Sequence, residues 1–122
     1  MSTLGTLSDW QTTDVIGYLL TTEWWAALTT ADPRVGSPTA HEFAGGSYAR
    51  ILLEMEASGA RSMRATNVAG WTGLPAGTIA YLALFTASVG GNLRAAMPLD
   101  DPYTVVAGAG YAVPADSIYV SW

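Results

Sequence analysis

Glycine and proline punctuate this chain at intervals of about ten residues, and most of the stretches between them read as short strands. There are 13 glycines and 6 prolines among the 122 residues. That pattern argues for one mainly β domain spanning 1–122, a small β-sandwich or jelly-roll-like barrel. One short helix is expected ahead of it. Ser8 and Gln11 have capping-box spacing, Asp9 sits in the first turn, and Val15, Ile16, Leu19 and Leu20 share one side. The helix is therefore placed over about 8–20.

The strands follow from about residue 23. Glu23 to Thr30 is rich in aromatic residues and Thr, which favours a strand, with continuation of the helix as the alternative. Within it Trp24 and Trp25 face opposite ways, one toward the core and one toward a partner or solvent. Ala31 to Pro38 is a loop. Ser47 to Ala57 alternates, with Ala49, Ile51, Leu53 and Met55 on the core face and Tyr48, Arg50, Leu52, Glu54 and Glu56 opposite. Ser58-Gly59 turns the chain into a weaker strand over 62–68. Trp71 to Gly77 reads as a turn-rich connection. Thr78 to Ala87 is the clearest strand. Its continuous apolar run over 79–85 requires burial on both faces, by the core on one side and by the N-terminal helix or a neighbouring subunit on the other. Val89 to Asn92 is a hairpin turn. Leu93 to Met97 returns and stops at Pro98, Asp100 to Pro102 is a loop, and strands follow over 103–106, 110–113 and 117–122. The core is expected from Ile51, Leu53, Met55, Ile79, Leu82, Leu84, Phe85, Ile118 and Val120.

The residues offer little for catalysis. His41 is the only histidine, and no Gly-x-Ser-x-Gly elbow frames a serine. His41 with Ser47 and the adjacent Glu42 is the one Ser–His option; a surface histidine is the plainer reading. Glu54 and Glu56 share a strand face, as a glycosidase pair would. Pairing with Arg61 and Arg64 across the turn explains them better. Asp100-Asp101 lacks a third nearby carboxylate for calcium. Gly45-Gly46 and Gly90-Gly91 lack the lysine of a phosphate loop and read as turn glycines with positive φ. Without cysteine, thiolate metal sites and disulfides are excluded. No cofactor is expected.

Charge narrows the partners. The net charge is −5, lysine is absent, and the cations are five arginines. That is no footprint for nucleic acid. No apolar run is long enough to span a bilayer, and no secretory leader is visible, so the chain reads as made in the cytoplasm. With 50% hydrophobic and only 12% charged residues, the surface suits a protein packed against others.

Three blocks carry a resemblance. The first is Glu42-Phe-Ala-Gly-Gly-Ser-Tyr-Ala-Arg50, the second Ile79 to Leu93, the third Val106 to Ile118, with Trp24 to Pro33 ahead of them. In this order they are similar to small bacteriophage virion proteins of the tail-fibre or minor tail type, over roughly 19–121. The chain differs from many of them in lacking an insertion between the second and third blocks. Its tryptophan pair and Gly-rich last block also set it apart. The resemblance implies a non-enzymatic virion protein, an oligomer with a trimer favoured, docking on other capsid or tail subunits. A chain of this length without a trimerising stalk also fits a capsid decoration or cement protein. A carbohydrate-binding tip that contacts a host-surface glycan through exposed tryptophans is the alternative, and a glycan hydrolase a third. The candidate interface and structural residues are Trp24, Trp25, Tyr48, Arg50, Trp71 and Trp122. Arg50 is expected to hold the turn that precedes it through a carboxylate or backbone carbonyls.

Overall fold

The computed structural model describes residues 22–59 and 61–121. The expected helix over 8–20 lies outside them. The described part is mainly β, with nine strands: β1 Trp24–Thr29, β2 Ile51–Leu53, β3 Met55–Gly59, β4 Ser62–Ala65, β5 Ala69–Trp71, β6 Gly77–Phe85, β7 Leu93–Val105, β8 Tyr111–Val113 and β9 Tyr119–Ser121. They form three antiparallel sheets, ordered β2-β1-β6-β7, β3-β4-β9 and β5-β8. No helix among the described residues is long and apolar enough to cross a membrane.

One core joins all three sheets. β1 contributes Trp24, Ala26 and Leu28, β4 contributes Met63 and Ala65, β5 contributes Ala69 and Trp71, and β6 contributes Ile79, Leu82 and Leu84. Phe43, Leu53, Leu74, Val105 and Ile118 complete it, with Ile51, Met55 and Val120 partly buried against it. The opposite face of β1 and β6 is buried too. There Ala27, Ala83 and Phe85 cluster, and the partly buried Trp25 and Leu93 pack on them. This is why the sequence of β6 shows no alternation: the strand lies between β1 and β7 with apolar contacts on both faces.

Four expectations need correction. The stretch 47–57 is not one strand. It is irregular up to Arg50 and breaks again at Glu54, where the chain leaves the first sheet for the second. The break has local partners. The Glu54 amide donates to Asn67 Oδ1 at 2.8 Å, the Glu54 carbonyl accepts from the Thr66 amide at 2.7 Å, and Asn67 Nδ2 donates to the Leu52 carbonyl at 3.0 Å. An amide side chain thus stands in for a neighbouring strand. Because 47–50 is not a strand, Ala49 is exposed and Arg50 is buried, the reverse of the alternation.

Second, Trp71 closes β5 rather than opening a turn, because Trp71 pairs with Tyr111 in β8. Third, β7 does not stop at Pro98. Tyr81 pairs with Pro98 and Ile79 with Tyr103, so Asp100 to Pro102 bulge out of a continuing edge strand. Proline is tolerated there because no strand lies beyond to receive its amide. Fourth, β3 runs on through Gly59, which pairs with Ser62, so the turn comes after Ser58-Gly59.

The turn glycines take the backbone expected of them. Gly45, Gly46, Gly90 and Gly91 all have positive φ. Gly46 has the tightest surroundings: at φ 56°, an added Cβ would run into the Gly73 carbonyl oxygen. The same oxygen accepts the Ser47 amide at 2.8 Å. Gly46→Ala is expected to cost at least about 1–2 kcal/mol from the left-handed backbone alone. Thermal melting compared with wild type checks it, and an unchanged midpoint would mean that the turn relaxes freely.

Candidate functional site

β2 is only three residues long, and this shortness sets up the site. Its pairing with β1 ends at Ala26, so the β1 edge at Leu28 has no strand beside it. The segment 42–50 fills the gap. The Phe43 amide donates to the Leu28 carbonyl at 2.9 Å, and the Leu28 amide donates to Tyr48 Oη at 3.2 Å. Tyr48 in turn donates its hydroxyl proton to Glu42 Oε2 at 2.6 Å.

Arg50 completes the cluster. Nε donates to Glu42 Oε2 and Nη2 to Glu42 Oε1, both at 2.8 Å, a bidentate fork. Nη1 donates to the carbonyls of Ala87 and Gly90, each at 2.8 Å. The guanidinium carbon lies 3.9 Å from the centre of the Phe85 ring. The Arg50 side chain is 3% exposed and that of Glu42 14%. Arg50 therefore holds a carboxylate across the turn that precedes it, between Glu42 and Arg50, and the carbonyls of the β6–β7 hairpin besides. The Gly73 carbonyl holds the same turn from the other side, through the Ser47 amide.

The electrostatics follow from this packing. Burial pushes the Glu42 carboxyl up, but the hydrogen bonds from Arg50 and Tyr48 and the Arg50 charge outweigh it, and the result lies below the ordinary 4.5. Burial, then the hydrogen bond to Glu42, pushes the Tyr48 hydroxyl far above its ordinary value. The bond to Glu42 raises Arg50 further. A lowered carboxylate stabilises the fold at pH values above its unfolded value, and this contribution disappears as the pH falls through the folded one. The protein is therefore expected to lose stability progressively below about pH 4.5. Glu42→Gln should flatten that acid limb while lowering stability at neutral pH. Urea unfolding at a series of pH values checks this; an acid limb as steep as that of wild type would assign the effect elsewhere.

An open groove of about 590 Å³ lies over the cluster, bounded by the 39–49 segment and by Ser88, Val89 and Gly90. The cluster is part of its lining but has little left to offer, since Glu42 already accepts three hydrogen bonds and Arg50 donates four.

The other singled-out residues do not converge on it. Trp24 is buried, with the Arg94 guanidinium carbon 4.6 Å from its ring centre. Trp25 is partly buried on the opposite face of β1. Trp71 is buried, donates Nε1 to the Ala49 carbonyl at 2.9 Å, and stacks on Tyr111 at 6.4 Å. Through that one bond it touches the segment that carries Arg50. Trp122 lies outside the described residues. His41 is exposed, and the Glu42 carboxylate beside it is committed to Tyr48 and Arg50. Glu56 pairs with Arg64 at 2.7 Å, across the register that places them opposite each other. Among the described residues no three acidic or histidine side chains gather for a metal.

Glu42 is the residue that sequence reasoning passed over as a partner. Its signal was its place in the same block as Tyr48 and Arg50. The hairpin carbonyls had none, because a backbone acceptor some 40 residues away leaves no mark on residue type.

Among the described residues the buried Glu42–Tyr48–Arg50 cluster is spent on tying the chain's own loops together, which suits a structural protein. The comparison with known families agrees: residues 7–121 match the family described as Podophage GP4 fiber I protein gp80. The chain belongs to this family of phage fibre proteins, which makes it a component of the virion. No curated protein matches it.

Proposed function

We propose that this chain is a non-enzymatic structural subunit of a phage fibre, assembling in several copies, with a trimer favoured, and docking on other virion proteins. Within the fibre family, the observation that carries this reading is the internally satisfied Glu42–Tyr48–Arg50 cluster. A general base needs a lone pair turned toward a substrate. Glu42 turns its oxygens to Arg50 and Tyr48 instead. The cluster braces the loops at one end of the β1–β6 pair, which suits a domain that transmits load. The family match supports a fibre role and adds nothing for capsid decoration or cement. Glycan contact through tryptophan faces is the weaker reading, because Trp24 and Trp71 are both buried at 4% exposure.

Light scattering on the purified protein, together with antibody labelling of intact particles, tests the reading. The expected result is a multi-copy mass and label on fibres. Glu54→Gln, Glu56→Gln and His41→Ala should leave assembly and adsorption unchanged. A strict monomer that never labels fibres would overturn the proposal, as would glycan cleavage abolished by one of these three changes.

A further inference from the structure

β5 and β8 form a two-stranded sheet with two unlike faces. Inward, Ala69 and Trp71 are buried in the core, and Tyr111 and Val113 pack against it. Outward, Gly70 lies opposite Ala112, and both are exposed. Val68 and Pro114, which flank this pair, are exposed as well, Val68 at 56%. On the inward side Tyr103, 41% exposed, is in ring contact with Tyr111 at 5.4 Å, and Tyr111 stacks on Trp71. The two strands are thus fixed to the core by aromatic contacts on their inward face. The two stretches that supply this face, 65–93 and 102–115, contain no charged residue at all.

We propose that this face is the contact between copies of the chain, its occupant the same face of the other copies gathered around a shared symmetry axis; this rests on the multi-copy reading above. Charge argues for the occupant. At net charge −5 any two copies repel. Contact through stretches that carry no charge of their own adds no like-charge pair at the centre of the interface. A basic partner would be met by an acidic surface, whereas an uncharged apolar face fits another of its own kind.

Gly70 offers a clean test. Its φ is not left-handed, and an added Cβ meets nothing within 4 Å. Gly70→Arg therefore leaves the fold intact and plants a charge at the centre of the face. The wild type is expected to show a multi-copy mass in light scattering. Gly70→Arg should show the mass of one copy at the same concentration, with the wild-type circular-dichroism spectrum and a midpoint lowered only by the loss of assembly. Ala57→Arg, on an exposed position of β3, should keep the wild-type mass. A second measurement does not depend on Gly70→Arg folding. The chain has no cysteine, so Ala112→Cys adds a single thiol, expected to be shielded from maleimide in the assembled protein while that of Ala57→Cys reacts freely. An oligomer that survives Gly70→Arg and leaves the Ala112→Cys thiol reactive overturns this face and leaves the multi-copy reading standing. A wild type that is a monomer at every concentration overturns both.

Discussion

Arg50→Ala is expected to destabilise the protein by roughly 3–5 kcal/mol, the cost of leaving one partner of a buried ion pair alone. The Arg50 side chain is almost wholly shielded, and its four hydrogen bonds join three segments: the 42–43 return beside β1, the lead into β2, and the β6–β7 hairpin. Removing it strands the Glu42 carboxylate, and the carbonyls of Ala87 and Gly90 lose a charged donor. Arg50→Lys keeps the charge but has a single nitrogen. That nitrogen cannot reproduce a bidentate fork and reach two carbonyls, so a loss of roughly 1–3 kcal/mol remains. Urea unfolding measures both. A double-mutant cycle with Glu42→Gln should show strong coupling, because the two residues act as one unit. If Arg50→Ala stays within about 0.5 kcal/mol of wild type, as surface substitutions do, the cluster is not a brace.

What was legible beforehand divides by the range of the interaction. The β class, the central place of β6, and the buried Leu53, Leu82, Leu84, Phe85 and Ile118 follow from alternation and from an apolar run, which are local patterns. The Glu56–Arg64 pair was equally readable, since a hairpin puts its members opposite each other. The errors fall where a distant group decides. Asn67 and Thr66 capture the backbone of Glu54 and switch the chain between sheets, so the alternation over 47–57 was drawn through a break. Trp71 was assigned to a turn because glycines and a proline surround it, but its strand exists only through β8, about 40 residues later. The carboxylate that Arg50 grips across its preceding turn is in the same sequence block, whereas its other acceptors, backbone atoms of a remote hairpin, leave no mark there.

Leu84→Ala is the test of the core. Leu84 is fully buried in β6, between β1 and β7, and its opposite residues on the two sides are Ala26 and Ala95. Both cross-strand neighbours are already as small as the replacement. Neither can extend into the space left behind, and the two flanking strands fix the backbone so that it cannot close in. The penalty then includes a residual cavity as well as lost burial, and roughly 3–5 kcal/mol is expected, the upper part of the range for such changes. A domain whose whole stability is about 5–15 kcal/mol would be left marginal. Leu52→Ala is the matched control. Leu52 sits in β2 with its side chain turned outward, 42% exposed, so truncation should cost within about 0.5 kcal/mol. Urea unfolding of both variants decides the matter, with unchanged slopes showing that only stability has moved. Equal, small shifts in the two would mean that β6 is not the buried centre of the sheet.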